Sequence, residues 1–168
     1  MIKNSVKRKE KKQEKELTKD KAIEQITGIA KSIANLFNRE GTINSMVMFL
    51  LQEGAKPTLV VADKWDKLNQ DAWQKLQEAQ KEIGAGCVIG KITESYYTDF
   101  EKDPYIGSPI ENPNRKEGLS LVASTNEWTI CWMADIEQCE GKRIAKEWRK
   151  VGDDGGELVA IHYPNAEV

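Results

Sequence analysis

Acidic side chains concentrate in one stretch of the chain, where they could hold a metal ion. Glu94 lies at the end of an apolar run, and the loop after it carries Asp99, Glu101, Asp103 and Glu111. Carboxylates that converge on Mg²⁺ can activate water for hydrolysis. Because acidic loop residues are usually only solvated, we predict no metal site. A small metal-dependent hydrolase or nuclease built on the 94–111 loop is kept as the alternative function.

Histidine and cysteine are too sparse and too widely spaced to predict a catalytic or zinc site. The chain contains His162, Cys87, Cys131 and Cys139, and no two of them have the spacing of roughly two to four residues typical of structural zinc ligands. On its predicted strand, His162 alternates onto the apolar face, which favours a structural histidine over a general base. An odd number of cysteines without a close pair indicates buried thiols in a reducing compartment rather than disulfides.

A glycine-rich run, residues 84–90, is the nearest match to a cofactor-binding motif. A dinucleotide-binding loop needs a strand before it and a helix after it, so that the phosphate meets a helix N-terminus. Here the predicted helix comes first and the strand second, and no glycine-rich loop carries a lysine at the spacing of a phosphate-binding motif. We therefore predict no cofactor.

Length and charge indicate one domain with a basic extension. The 168 residues suffice for a single domain, and no apolar run approaches the roughly 20 residues of a membrane span. Residues 1–22 carry nine Lys/Arg and four Asp/Glu, although the whole chain has a net charge of −2. Residues 1–17 have almost no apolar side chains and are predicted to be a disordered tail, with residues 18–168 forming one α+β domain.

The predicted tail bears on partners and location. It could touch nucleic acid, but acidic residues dilute its charge and no aromatic side chain is interleaved, so a nucleic-acid partner is not favoured. The N-terminus is polar where a signal peptide would have an apolar core. We therefore expect a cytoplasmic protein without a membrane partner.

The clearest predicted element is a helix. Apolar residues recur every three or four positions over residues 22–37, which places them in one stripe. Thr18 or Asp20 can cap its start, and Gly41 suits the left-handed residue that ends a helix. A single stripe predicts that one face packs on a sheet, with the following residues buried there: Ile26, Ile29 and Ile33.

The remaining elements alternate short apolar runs with turn residues. A second helix is predicted over residues 71–83, with Asn69 or Asp71 as its N-cap. Strands are predicted at 43–51, 57–62, from 87 onwards, 118–123, 128–136, 143–151 and 157–163. This order predicts an α+β fold, with a mostly antiparallel sheet of about six or seven strands and two main helices packed on one face.

The stretch between the third and fourth predicted strands resembles a known family. Glu94-Ser95-Tyr96 ends one strand, and Asn112-Pro113-Asn114-Arg115-Lys116-Glu117 precedes the next. A strand ending in Glu, a small residue and an aromatic, followed by a Pro-x-Arg-x-Glu segment, resembles a family of small uncharacterised bacterial and phage-encoded proteins over residues 43–123. Tyr96 stands where tryptophan is common in that family, and residues 128–168 extend beyond its usual length. The resemblance carries no established activity; it implies a phage or prophage accessory protein that binds host components.

Four residues of this stretch form the predicted functional or structural cluster: Glu94, Tyr96, Arg115 and Glu117. Glu94 alternates onto the apolar side of its strand, so its carboxylate needs a partner. Arg115 precedes the next antiparallel strand and can reach Glu94 with two hydrogen bonds. Such a pair would pin the long loop; alternatively, Glu94 is a ligand or a catalytic acid at the mouth of the loop.

No pattern in the sequence defines an activity, and whether the protein is an enzyme stays open. We expect a non-enzymatic binding or interaction protein whose partner is a protein or a small molecule. A homo-oligomer stays open as well, because an exposed apolar helix stripe would mark a subunit interface. Convergence of Glu94 with two loop carboxylates in a cleft would favour the enzyme, whereas a scattered acidic rim would favour the binding protein.

Overall fold

The computed structural model describes residues 17–43, 46–62, 66–99, 102–153, 156–157 and 159–162. In chain order the elements are α1 (Lys19–Glu40), β1 (Met46–Leu51), β2 (Thr58–Ala62), α2 (Lys67–Ile83), β3 (Val88–Asp99), a 3₁₀ turn (Pro109–Glu111), β4 (Lys116–Ser124), β5 (Thr129–Cys139), β6 (Lys142–Asp153), β7 (Gly156–Glu157) and β8 (Val159–His162). The predicted α+β class is confirmed. Of the predicted tail, residues 1–16 lie outside the described residues, and none of the described helices combines the length and apolarity that a membrane span requires.

The strands form one sheet in which every described pairing is antiparallel. Their order is β2-β1-β3-β4-β5-β6-β7, and β8 pairs with β3. The described sheet has eight strands, against the six or seven expected, because β7 and β8 divide one predicted strand. β7 pairs with β6 at one end of this order, whereas β8 pairs with β3 in its middle.

Helix α1 begins and ends at residues that the sequence marks. The Thr18 hydroxyl accepts a hydrogen bond from the Lys21 N–H at 3.3 Å, and Gly41 adopts a left-handed φ of 77° while its N–H donates to the Phe37 carbonyl. Ile26 is fully buried, whereas Ile29 and Ile33 pack at the margin of the same core. The predicted stripe therefore faces the sheet.

Helix α2 begins earlier than predicted. The Asp66 carboxylate accepts the hydrogen bond from the Asn69 N–H at 2.9 Å, so Asp66 is the N-cap and the candidates Asn69 and Asp71 lie inside the helix. Leu76 is its buried residue, and Trp73 packs beside the same core. The apolar spacing identified the helix. It did not identify the N-cap, because Asp66, Asn69 and Asp71 can all accept the capping hydrogen bond.

The two helices lie on opposite faces of the sheet, which corrects the prediction of one shared face. Side chains of β1 alternate, and Phe49 and Leu51 join the core under α1, whereas Met48 and Leu50 join the core under α2. β1 is buried throughout its length. A strand apolar on both sides needs cover on both sides, and one helix on each face provides it.

Two glycines allow the neighbouring strands and side chains to approach closely. At Gly90 in β3, a Cβ would overlap the Phe49 ring and lie 2.8 Å from the Val122 carbonyl oxygen. At Gly118 in β4, a Cβ would lie 2.5 Å from Met133 Sδ. Glycine within a strand typically marks such close contacts, so both positions belong to the packing of the core.

Candidate functional site

The four residues of the predicted cluster lie at one end of the sheet. Glu94 and Tyr96 alternate onto the α1 side of β3, and the register pairs Tyr96 with Glu117 of β4. Arg115 stands immediately before β4 and its guanidinium lies over the Tyr96 ring, with its central carbon 4.7 Å from the ring centroid. The structure thus brings all four together, although not in the pairs that the sequence suggested.

Glu94 pairs with Arg143, and the predicted pair of Glu94 with Arg115 is wrong. Arg143 Nη1 lies 3.3 Å from Glu94 Oε1, and Arg143 Nη2 lies 3.2 Å from Glu117 Oε2. The Glu94 side chain is only 16% exposed. Between two carboxylates on adjacent strands, one guanidinium satisfies both, because it presents several N–H donors in a fixed plane.

Arg143 also connects this charge network to the end of α1. Its Nη1 donates to the Gly41 carbonyl oxygen at 3.1 Å, and its guanidinium carbon lies 5.3 Å from the centroid of the Phe37 ring. Nearby, the Ala145 N–H donates to Asn38 Oδ1 at 2.7 Å. Arg143 therefore acts as a clamp between α1, β3, β4 and β6.

Arg115 has a different environment from the one predicted. Its Nη1 donates to the Ile110 carbonyl oxygen at 2.7 Å, and the side chain is exposed. The contact with Tyr96 and the hydrogen bond to Ile110 hold the guanidinium in place, and the N–H groups that do not contact Ile110 can meet a ligand. Arg115 is therefore an exposed cation whose orientation is already held by contacts within the protein.

The loop before Arg115 is anchored by Asn112, whose side chain is 1% exposed. Its Nδ2 donates to Thr98 Oγ1 at 3.1 Å and to Asp103 Oδ2 at 2.7 Å, and its Oδ1 accepts from the Asn114 N–H at 2.9 Å. Asp103 also accepts from the Tyr105 N–H at 3.1 Å. One buried amide thus ties the loop to β3 and fixes its shape.

Apolar side chains project from this anchored loop. Ile106 is 94% exposed and Ile110 is 41% exposed, while Pro109 between them is buried. Scattered exposed apolar residues are normal, but Ile110 contacts the exposed Arg115, which lies over the Tyr96 ring, and Ile106 belongs to the same anchored loop. We call Tyr96, Ile106, Ile110 and Arg115 the loop surface.

The acidic residues of the loop do not form a metal site in the part of the chain that the structure describes. Asp103 is engaged with Asn112, Glu94 is neutralised by Arg143, and Glu111 is exposed. Glu101 and the Asp99 side chain lie outside the description, and no group of three His, Cys, Asp or Glu side chains among the described residues could hold a metal ion. The described carboxylates form a scattered rim.

A second arginine network, which the sequence did not predict, lies on the opposite face of the sheet. The Tyr97 hydroxyl donates to Asp135 Oδ1, and Arg149 Nη2 donates to the Tyr97 oxygen at 2.9 Å and to Asp135 at 3.2 Å. Tyr97 is fully buried. Burial, followed by the hydrogen bond to Asp135, raises the pKa of Tyr97 well above its ordinary value.

An open cleft lies between the two networks at the start of β4. Its volume is about 430 Å³, and its lining residues are Arg115, Lys116, Glu117, Asp135, Ile136 and Glu137. Five of its six lining side chains are charged, two positive and three negative. A small-molecule pocket is usually mostly apolar, so this cleft is better suited to the polar rim of an interface.

Two titratable groups, the half-buried Lys91 and the buried Cys87, lie between α2 and the sheet. Lys91 Nζ lies 5.2 Å from the Trp73 ring centroid, and burial lowers the pKa of Lys91. Burial also raises the pKa of the Cys87 thiol. A thiol held neutral is a poor nucleophile, so Cys87 is a packing residue, as expected of a buried cysteine. Cys131 is buried too, and Cys139 is half-buried.

His162 lies in β8, where the register pairs it with Tyr96.

Comparison with known proteins gives no further guide to the candidate site, because no protein-family model, no curated protein and no solved structure matches the chain.

Proposed function

We propose that this chain is a non-enzymatic binding protein that holds a protein partner on the loop surface of Tyr96, Ile106, Ile110 and Arg115. The observation that carries the proposal is the fully exposed Ile106 on a loop whose shape is fixed by the buried Asn112. A loop that is already ordered loses little conformational entropy when it binds. Ile106 has no packing role in the described chain that would account for its position.

The chemistry of the loop surface matches what protein interfaces use. Interface cores are enriched in aromatic side chains and arginine, and affinity concentrates in a few such residues surrounded by a polar rim. Here the stacked Arg115 and Tyr96 stand beside Ile110, and the charged cleft forms the rim. The partner should offer an apolar pocket to Ile106 and a carboxylate or carbonyl group to Arg115.

The arrangement of carboxylates supports this binding function over a metal-dependent hydrolase. Glu94 already has the guanidinium of Arg143 at 3.3 Å, and a bound metal ion would compete with that cation. Asp103 is committed to the loop anchor. If the protein is encoded by a phage or prophage, as the resemblance implies, the partner that we propose is a host protein.

Affinity capture with matched variants tests the proposal. Immobilised wild-type protein and the variants Ile106→Asp and Leu68→Asp would be exposed to lysate of the source organism, and captured proteins would be identified by mass spectrometry. Leu68 is a matched control because it is 75% exposed and lies on α2, away from the loop surface. We expect a partner that wild type and Leu68→Asp retain and Ile106→Asp loses.

A direct measurement on the captured partner completes the test. The dissociation constant should rise at least about tenfold for Ile106→Asp and for Arg115→Ala, as expected of central interface residues. Equal capture by wild type and Ile106→Asp would refute the loop surface as the binding site. Turnover of a phosphodiester or ester substrate that requires Mg²⁺ and disappears in Glu94→Gln would refute the non-enzymatic function.

A further inference from the structure

We infer that the free edge of β2 pairs with β2 of a second copy of this chain, which makes the protein a weak two-fold symmetric dimer. β2 ends the strand order, and within the described residues it pairs with β1 alone. An edge strand presents a row of backbone N–H and C=O groups that only another strand can satisfy as a set. The edge of β2 is therefore a site for strand addition.

The side chains of β2 leave this edge unprotected. Exposed edges are usually blocked by proline, by inward-pointing charges or by lysine, but Thr58–Ala62 contains no proline and no charged residue. Leu59 and Val61 are 53% and 65% exposed, although they lie on the same face as the buried Phe49 of β1. Apolar side chains next to an open edge favour association by that edge.

Two-fold symmetry makes β2 of a second copy a suitable partner for the free edge of β2. In an antiparallel pairing with the two-fold axis at Val60, Leu59 of each copy lies directly opposite Val61 of the other copy, on the same face of a continuous sheet. The exposed apolar side chains of each copy thus cover those of the other. Because Thr58–Ala62 carries no charge, the five residue pairs of this contact contain no like charges that would repel.

The size of the contact sets its strength. One five-residue strand from each copy forms an interface well below the roughly 1,200–2,000 Å² of stable complexes. We therefore expect a dissociation constant in the micromolar range or weaker, and a protein that is monomeric when dilute and dimeric when concentrated.

Sedimentation equilibrium from micromolar to millimolar protein tests the dimer. Wild type should show a monomer–dimer equilibrium, and Val61→Lys should weaken it at least about tenfold, because a lysine is then placed in an apolar contact near its symmetry mate. Ile106→Lys, at a more exposed apolar position in the loop between β3 and β4, should leave it unchanged. Thermal melting of each variant would verify that it is folded.

A charge-swap mixture tests the register. Leu59→Glu and Val61→Lys should each dimerise poorly alone, but an equimolar mixture should recover dimer, because the introduced glutamate of one copy faces the introduced lysine of the other. Wild-type protein that stays monomeric at millimolar concentration would overturn the inference. A dimer that survives Val61→Lys, or a mixture that recovers nothing, would overturn it equally.

Discussion

Strand β6 carries two arginines that bridge neighbouring strands, one on each face of the sheet. Arg143 contacts two partly exposed glutamates and the Gly41 carbonyl at the end of α1. Arg149 contacts both the buried Tyr97 and Asp135. The first arginine links β6 to the end of α1 and to β3 and β4, two strands with which β6 does not pair. The second completes the hydrogen bonding of one buried hydroxyl. On one face of β6 an arginine therefore holds a helix end against the sheet, and on the other face an arginine provides a hydrogen bond to a buried hydroxyl.

The largest effect should follow from Arg143→Met. The substitution removes three partners at once and leaves Glu94 and Glu117 facing each other without a cation, so we expect a loss of about 2–3 kcal/mol in the free energy of unfolding. Urea denaturation of both proteins measures it. Arg143→Lys should recover less than half of the loss, since one ammonium cannot reach three acceptors in a plane. An effect below about 0.5 kcal/mol would show that the clamp contributes nothing.

A double-mutant cycle sharpens the assignment of the Glu94 partner. Glu94→Gln combined with Arg143→Met should show a coupling of about 1 kcal/mol, because the two charges are in contact. Glu94→Gln combined with Arg115→Met should be additive within about 0.3 kcal/mol. Coupling to Arg115 instead of Arg143 would restore the pairing that the sequence suggested. Both cycles use the same denaturation measurement.

On the opposite face, Asp135→Ala should cost about 1–2 kcal/mol, less than the loss of Arg143. The buried Tyr97 hydroxyl loses its acceptor but still accepts from Arg149, and water in the adjacent cleft can replace part of the loss. In a Tyr97→Phe background, which has no hydroxyl to satisfy, the same substitution should cost at least about 1 kcal/mol less. Equal costs in both backgrounds would mean that the carboxylate does not serve Tyr97.

The tyrosine network also predicts a dependence on alkaline pH. The pKa of Tyr97 is raised in the folded state, so the folded protein holds this proton at a pH where the unfolded chain releases it. The stability contributed by Tyr97 should therefore be complete below about pH 10 and fall as pH rises above it. Chemical denaturation from pH 8 to about pH 11 should show a smaller decline for Tyr97→Phe than for wild type. Parallel declines would contradict the raised pKa.

The smallest stability effect is expected at Arg115. Because its side chain is exposed and its carbonyl contact lies within its own loop, Arg115→Met should change the free energy of unfolding by no more than about 0.5 kcal/mol. Thermal melting measures this. A loss comparable to that of Arg143→Met would mean that Arg115 supports the fold and is not held ready for a partner.

Local chemistry made much of this fold predictable from the sequence. Helix α1 was predictable because each of its signals is local. The cap at Thr18, the end at Gly41 and the apolar stripe all depend on contacts between residues three or four positions apart. The alternation of β3 correctly placed Glu94 and Tyr96 on one side of the strand. The sequence placed the four cluster residues on, or just before, two neighbouring strands, although β3 continues past Tyr96 to Asp99 instead of ending there.

What the sequence could not supply was pairing across long separations. Arg143 reaches Glu94 only because β5 and β6 return to this end of the sheet, and Arg115, closer in the sequence, looked equally suitable. The faces of the helices depend on which side of β1 each one covers. Since β1 is apolar at every position, its residues do not distinguish the two sides. The exposure of Ile106 has no sequence signal, as the same residue type fills the core elsewhere.

The close contact at Gly90 has a consequence for how the sequence can drift over generations of mutation. Position 90 admits no β-carbon at all, because the obstacles are a rigid buried ring and a backbone oxygen of the next strand, neither of which can yield. Position 118 is less strict, since the first obstacle there is the flexible thioether of Met133. In a saturation library selected for folded protein, glycine should be the sole survivor at 90, while alanine should persist at 118 at reduced frequency.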